Sequence, residues 1–312
     1  MRYLQQLFYV DAVASTGSIR RAAQSLAITS TALNRRILAV EEDLGTPIFE
    51  RTGKGVRLSV AGEIFIHHIR QQISDMERVR SQIADLSGER RGRVSVACGQ
   101  ALMHSFLPAK VSAYRALHPY VDFQLGVCGR CEATQRLEDF SADIAVIFEP
   151  ELSADVSVLA RLPQSVYAMV SIDHPLAQND CVRLRDCLQY PLALPSRRSG
   201  LRELIENGSL RQTKKPWVAL ESDNTDFLMR STVDNSTIAF QISVAFASAS
   251  VPHGFKAVPI EPQDIGKGSL YVMQQKGRTL PVAAARFLDG ILTDLLGSAT
   301  PQKAEAGVLQ DG

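Results

Sequence analysis

The sequence predicts an α/β protein with a helical head, and three observations predict it. Near the N-terminus, two short amphipathic segments joined by a tight turn are followed by a small basic hairpin. One unbroken stretch, Gly62 to Ser87, then carries apolar residues every three or four positions. From Arg93 onward, strand-like runs alternate with helical ones.

The head begins its argument at Ser18. Ser18 is placed to cap a first helix through its hydroxyl, and Ala22, Ala23 and Leu26 form that helix's inner stripe. Ile28 sits in the turn and points inward. Thr29 or Ser30 caps the second helix, with Leu33, Ile37 and Val40 inside and Ser30, Thr31, Asn34, Arg35 and Leu38 outside. A polar face carrying an Arg, on a helix braced by a partner, suits the DNA major groove. An ordinary helical hairpin would share the pattern. The next segment favours DNA: apolar runs flank Thr52-Gly53-Lys54-Gly55, and Arg51, Lys54 and Arg57 cluster at that turn. A basic hairpin after a reading helix is a wing for phosphates or the minor groove.

Charge agrees. The 312-residue chain has net charge +1, yet residues 1–60 hold eight basic against five acidic side chains. The length predicts two or three domains. There is no 18-residue apolar run and no basic-then-apolar leader, so a cytoplasmic protein without a membrane span is expected. Five cysteines, an odd number, fit reduced thiols.

Residues 2–62 resemble the winged helix-turn-helix of the LysR-type transcriptional regulators. The resemblance rests on Leu7-Phe8-Tyr9-Val10 with Ala14, Gly17-Ser18, Arg21-Ala22-Ala23, Glu41 to Gly45, Phe49-Glu50-Arg51 and Leu58 to Gly62. Departures fall at Ser30-Thr31, Asn34 and Arg36, which are read as outward positions. The DNA contacts expected are Arg20, Thr29, Ser30, Thr31, Asn34 and Arg35 on the helices and Arg51, Lys54 and Arg57 on the wing.

The stretch Gly62 to Ser87 is expected to form one helix. Its Ile66, Ile69, Ile73, Met76, Val79, Ile83 and Leu86 average about 3.5 residues per step, a coiled-coil spacing. The helix could pack on its own domain, but with no apolar segment nearby in sequence to cover it, a second copy of the chain is the expected partner. This resembles the linker helix through which the family dimerises. Gly88 to Gly92 reads as an exposed hinge.

Beyond it, strands are expected at 94–98, 121–127 and 144–148 and helices at 100–117 and 132–139, an alternation implying a parallel sheet with helical crossovers. A second alternation follows: strands at 165–171, 192–194, 218–221 and 238–241, helices at 201–206 and 225–233. A strand at 270–273 and a helix at 282–296 close the series. Arg93 to Leu296 resembles the family's effector domain, which has a periplasmic-binding-protein fold of two lobes. The resemblance implies a DNA-binding head at 1–62, a linker helix and hinge at 63–92, and an effector domain at 93–297. Within that domain it places lobe I at about 93–163 and 268–297 and lobe II at about 164–267. A disordered tail is expected at 298–312.

A ligand is expected between the lobes at the carboxyl ends of strands. By resemblance, Gln100, Ala101, Leu102, Phe148 and Ser196 would meet it. Arg197 and Arg198 could take a carboxylate, or be two solvated arginines, and Asn224, Thr225, Phe240 and Gln241 at matching edges of lobe II are weaker candidates. Cys128-Gly129-Arg130-Cys131 lacks further zinc ligands at matching spacing and reads as a coincidental pair. No nucleophile motif, Walker A or G-x-G-x-x-G is present.

The reading is therefore a non-enzymatic, cofactor-free transcriptional regulator. It would bind double-stranded DNA at a pseudo-palindromic operator as a homodimer, and by resemblance as a homotetramer. A small-molecule effector, read as a small carboxylate, would modulate it. The rivals are a small-molecule binding protein or enzyme on the two-lobed domain, and a thiol redox sensor.

Overall fold

The computed structural model describes residues 2–53, 55–86, 91–234, 236–246, 251–266 and 268–298. They fall into two compact units: one is built on residues 2–86 with the short segments 138–141 and 279–282, the other on the remainder.

In the first unit, α1 (Arg2–Thr16), α2 (Ile19–Ser25) and α3 (Ser30–Leu44) pack around Leu7, Val10, Val13, Leu33 and Ile37. Ala22 and Ala23 are buried, small enough for α2 to lie close to its neighbours. The Ser18 hydroxyl oxygen accepts the Arg21 N–H, and Thr29, rather than Ser30, caps α3 by accepting the Ala32 N–H at 3.2 Å. Gly45 ends α3 in the left-handed region, φ 72°. The Glu41 carboxylate accepts the Ile48 and Phe49 N–H groups at 2.8 and 3.0 Å, fixing where the wing leaves the head.

The wing pairs β1 (Phe49–Thr52) antiparallel with β2 (Gly55–Leu58). It is stitched to the turn before α2: the Val56 N–H donates to the Gly17 carbonyl at 3.0 Å. A Cβ on Gly55 would lie 2.3 Å from that same oxygen, so only glycine permits the approach.

The long helix α4 (Val60–Leu86) forms as its periodicity predicts, but its apolar seam is divided. Ile66 and Ile69 are buried in the core of the first unit and Ile73 packs against it. The partner that sequence proximity does not reveal is α1, some sixty residues upstream. Of the expected seam, Val79, Ile83 and Leu86 are exposed. The expected hinge at 88–92 lies mostly, and the tail beyond 298 wholly, outside the described residues.

The second unit holds two five-stranded sheets. The first combines β3 (Gly92–Cys98), β4 (Val121–Val127), β5 (Ile144–Phe148), β6 (Val156–Gln164) and a returning strand, with α5 (Phe106–Leu117) and α6 (Arg130–Glu138) between them. The second combines β7 (Val166–Ser171), β8 (Leu192–Pro195), β9 (Val218–Ser222), β10 (Ile238–Ile242) and β11 (Phe255–Pro259). Its helices are α7 (Leu184–Cys187), α8 (Gly200–Ser209), α9 (Thr225–Arg230) and α10 (Pro262–Ile265). The chain then returns to the first sheet as β12 (Gly268–Gln275) and closes with α11 (Val282–Ser298). The orders are β4-β3-β5-β12-β6 and β11-β7-β10-β8-β9.

Three differences from the sequence reading have physical causes. The sheets are mixed: β12 runs antiparallel to β5 and β6, and β7 antiparallel to β10 and β11, because the chain passes from one sheet to the other and back. The edge strand β6 carries Pro163, which argues against a strand unless it lies at an edge. The helix expected at 100–117 is broken into a 3₁₀ turn, Gln100–Met103, and α5. Pro108 sits in the first turn of α5, and its ring would collide with the His104 carbonyl in a continuous helix.

In the first lobe, α6 covers one sheet face through Ala133 and Leu137 against Ala97, Ala145 and Ile147. Elsewhere in the lobe, Tyr114, Phe123 and Phe287 form an edge-on aromatic cluster, and the Tyr114 hydroxyl donates to the Ala283 carbonyl at 3.0 Å. In the second lobe, buried Asp264 accepts two bonds from Arg183 at 2.7 and 2.8 Å and one from the Leu184 N–H at 2.8 Å.

Candidate DNA-reading surface and ligand cleft

The outer face of α3 and the wing enclose a shallow concavity. Ser30, Thr31 and Asn34 line one side and Arg51 and Thr52 the other, with Ile19 and Val56 beneath. Four of the expected DNA contacts thus converge on one surface. Arg35 and Arg20 are exposed outside its lining, and the Thr29 side-chain oxygen already serves as the α3 cap. Arg57 is paired across the wing with Glu50 at 2.7 Å, so a phosphate must compete with a carboxylate for it. Lys54 lies outside the described residues. Arg36, read from the sequence as outward, turns back onto α1: its Nη1 donates to the Tyr9 hydroxyl at 2.7 Å and its guanidinium lies 4.6 Å from that ring's centre. It braces the head instead of facing the groove.

In the second unit, a cleft of about 260 Å³ opens where strand ends of the two lobes face each other. Gln100, Ala101, Leu102 and Phe148 line it from the first lobe and Ser196 and Thr225 from the second. Two expected residues do not reach it. Arg198, the neighbour of Arg197, takes the lining position, its Cβ close against Gly129. Phe240 lies one pair inside the sheet, opposite Ala168, while Gln241 and Ile242 at the strand end meet the cleft.

The 3₁₀ turn at Gln100 changes the electrostatics. Four residues carry little macrodipole, so the longer helices that begin at the cleft are α6, where Gly129 and Arg130 line it, and α8. There Ser199 is the N-cap and makes no side-chain hydrogen bond to the first turn, while Gly200 and Leu201 line the cavity. Two guanidiniums, Arg130 and Arg198, and two carboxylates, Glu132 and Asp223, share the lining. Glu132 is paired with Arg136 at 2.6 Å. Ile147, Phe148 and Leu270 supply an apolar wall. At the rim, His104 Nε2 and Thr225 Oγ1 meet at 2.7 Å, and the Ser105 hydroxyl donates to the Ala245 carbonyl at 2.8 Å.

Arg130 is the residue the sequence reading missed. It opens α6 after β4, the same strand-to-helix position that Gln100 holds after β3, but it lies inside the Cys-x-x-Cys, whose thiols are the more visible signal in the sequence. Two of the thiols are quiet. Burial pushes Cys128, on the cleft wall, up to about 11 and Cys98 up to about 12, and the nearby Arg136 lowers both less than burial raises them. Neither of these two is a thiolate near neutral pH, while Cys131, the second thiol of the motif, is a free and exposed cysteine. Among the described residues no cluster of three or more His, Cys, Asp or Glu could hold a metal, and no helix is long and apolar enough to cross a membrane.

A helix-and-wing reading surface on one compact unit and a ligand-sized cleft on the other define a DNA-binding transcriptional regulator with an effector domain. Residues 4–63 match the family model for the bacterial regulatory helix-turn-helix protein, lysR family, and residues 87–295 match that for the LysR substrate binding domain. The chain belongs to the LysR family, whose members are regulators and not enzymes. It is 22% identical over 286 residues to the HTH-type transcriptional activator CmpR of Synechocystis sp., covering 92% of this chain and 93% of that one. A full-length OxyR variant from Pseudomonas aeruginosa superposes with a TM-score of 0.69 at 16% identity, covering 95% of this chain and 94% of that one. Full-length CbnR in complex with its target DNA gives 0.61 at 18%, covering 93% and 99%.

Proposed function

We propose that this regulator responds to a small carboxylate with a modest apolar body, bound in the cleft between its lobes. The observation that carries the reading is the uncapped first turn of α8 at the cavity, with Arg130 and Arg198 beside it and an apolar wall at Phe148. A helix N-terminus favours an anion by about 0.3–1 kcal/mol when exposed and more when partly buried. An apolar cavity of about 150 Å³ takes up one benzene. The 260 Å³ here suits a ring with a carboxylate, or a short diacid.

On the DNA side, Ser30, Thr31, Asn34 and Arg35 read base edges. Arg20, Thr29, Arg51, Lys54 and Arg57 hold phosphates or the minor groove. Two copies pair along Val79, Ile83 and Leu86, and two pairs form a tetramer, presenting two reading helices to a pseudo-palindromic operator. The head occupies residues 1–62, the linker 63–92 and the effector domain 93–297, and the protein works in the cytoplasm. The ligand shifts the degree of lobe closure, and lobe packing changes the spread of the heads.

A thermal-shift screen tests the ligand. Benzoate, succinate and malonate are compared with neutral benzamide and cationic benzylamine. A ligand at a hundred times its Kd adds about 2.7 kcal/mol, which raises Tm by about 5–10 °C for a domain of this size. Stabilisation by the neutral or cationic compounds alone removes the anion argument. Stabilisation that survives Ala101→Trp removes the cleft.

A further inference from the structure

We propose that Arg130 and Glu203 form a latch that holds the effector cleft closed before any ligand arrives, and that an acidic ligand opens it by taking Glu203's place on Arg130. The second clause rests on the carboxylate reading of the cleft. The first does not.

The latch is built from one planar side chain with two attachments. Arg130 begins α6 in the first lobe. Its Nε donates to the Glu149 carbonyl in the same lobe, and its Nη1 is ion-paired with the Glu203 carboxylate on α8 of the second lobe. Opening the cleft must break the Glu203 arm and can leave the Glu149 arm intact. Arg130 then stays aimed at the cavity it lines, ready for another carboxylate.

The Glu149 anchor is itself fixed. Glu149 follows β5 with φ +48°, a left-handed conformation uncommon outside glycine. Its N–H donates to the Ser269 carbonyl at 3.0 Å and its carboxylate accepts the Ser269 N–H at 2.6 Å, beside the strand that returns from the second lobe. Gly200, the first residue of α8, lies against Phe148 and Glu149. One guanidinium therefore ties the start of α6, the turn after β5 and the first turn of α8. Glu203 sits where a carboxylate is favoured by the α8 dipole, the same field that would attract the ligand. The arrangement gives Arg130 an internal carboxylate partner in Glu203, which itself lies outside the cavity lining.

Hydrogen exchange on the ligand-free, full-length protein tests the latch. The amides read are those of residues 99–103 and 196–201, on facing walls of the cleft. Glu203→Gln keeps the side-chain shape and removes the charge. It and Arg130→Gln are each expected to speed exchange at both walls roughly fivefold, and the double variant no further. Raising salt from about 50 to 500 mM is expected to speed exchange in the wild type and leave Glu203→Gln unchanged. Wild-type protection in Glu203→Gln, or additive loosening in the double variant, overturns the latch. If the variants loosen as expected while every carboxylate fails in the thermal-shift screen, the ligand assignment falls and the latch stands.

Discussion

Replacing Gly200 with Ala drives a methyl group between the lobes. Its Cβ would lie 2.7 Å from the Phe148 carbonyl oxygen and 2.8 Å from the Glu149 Cβ, closer than such atoms approach in real structures. Neither neighbour is the loose end of a side chain, so relief requires α8 to move away from the first lobe. Overpacking of this kind costs about 1–3 kcal/mol. Against it stands the better helix propensity of Ala, about 1 kcal/mol in a helix interior and less at a first position. The net expectation is a loss of about 1–2 kcal/mol, read as a lower urea midpoint at unchanged m-value. Gly290→Ala in α11 is the internal control, because nothing lies within 4 Å of its added Cβ. That variant should gain up to about 1 kcal/mol. An unfolding midpoint for Gly200→Ala equal to or above wild type would refute the close packing of α8 on the turn after β5.

Three further outcomes are expected. Arg35→Ala should lose about 1–3 kcal/mol of discrimination for the operator in gel-shift titrations, with the fold unchanged, whereas Arg36→Ala should weaken the head by removing its contact with Tyr9. Ile69→Ala should destabilise the head by about 2–5 kcal/mol at any protein concentration, because Ile69 is fully buried within it, while Ile83→Asp, 60% exposed at present, should instead dissociate the dimer in sedimentation. Asp264→Asn should cost about 1.5–3 kcal/mol at pH 7. Hydrogen bonds from Arg183 hold the Asp264 pKa below its ordinary 3.8, so its contribution is complete above that pH and lost as pH falls through the lowered value. Urea midpoints for wild type and variant should therefore converge in acid.

The head was legible in detail because local rules decide it. Ser18 as one cap and Thr29 or Ser30 as the other, Leu33, Ile37 and Val40 inside, and a basic hairpin after Gly45 all follow from spacing and hydroxyl chemistry over a few residues. The division of α4 was not legible, since periodicity reports that a face is apolar and not what covers it. Ile69 meets α1 and Ile83 is left uncovered by its own chain, with one pattern written across both. The mixed sheets escaped for the same reason. Nothing near Leu270 records that its neighbour is Phe148 running the other way. At the cleft, the family resemblance implied Gln100, Phe148 and Ser196, but a shift of one residue decides which of Arg197 and Arg198, and of Phe240 and Gln241, lines it. Turn geometry sets that choice below the resolution of pattern.

The wing and the reading helix are bolted to one scaffold at points away from the DNA-facing side chains: Glu41 to the strand entrance, Val56 to Gly17, Arg36 to Tyr9. Ser30, Thr31 and Arg35 are exposed and stand apart from that framework. If they read base edges as proposed, their identities can change the preferred operator while the frame that presents them keeps its stability. In such a head, promoter choice is a matter of a few interchangeable outward residues, and a regulator can be re-addressed to new genes by substitutions its core never feels.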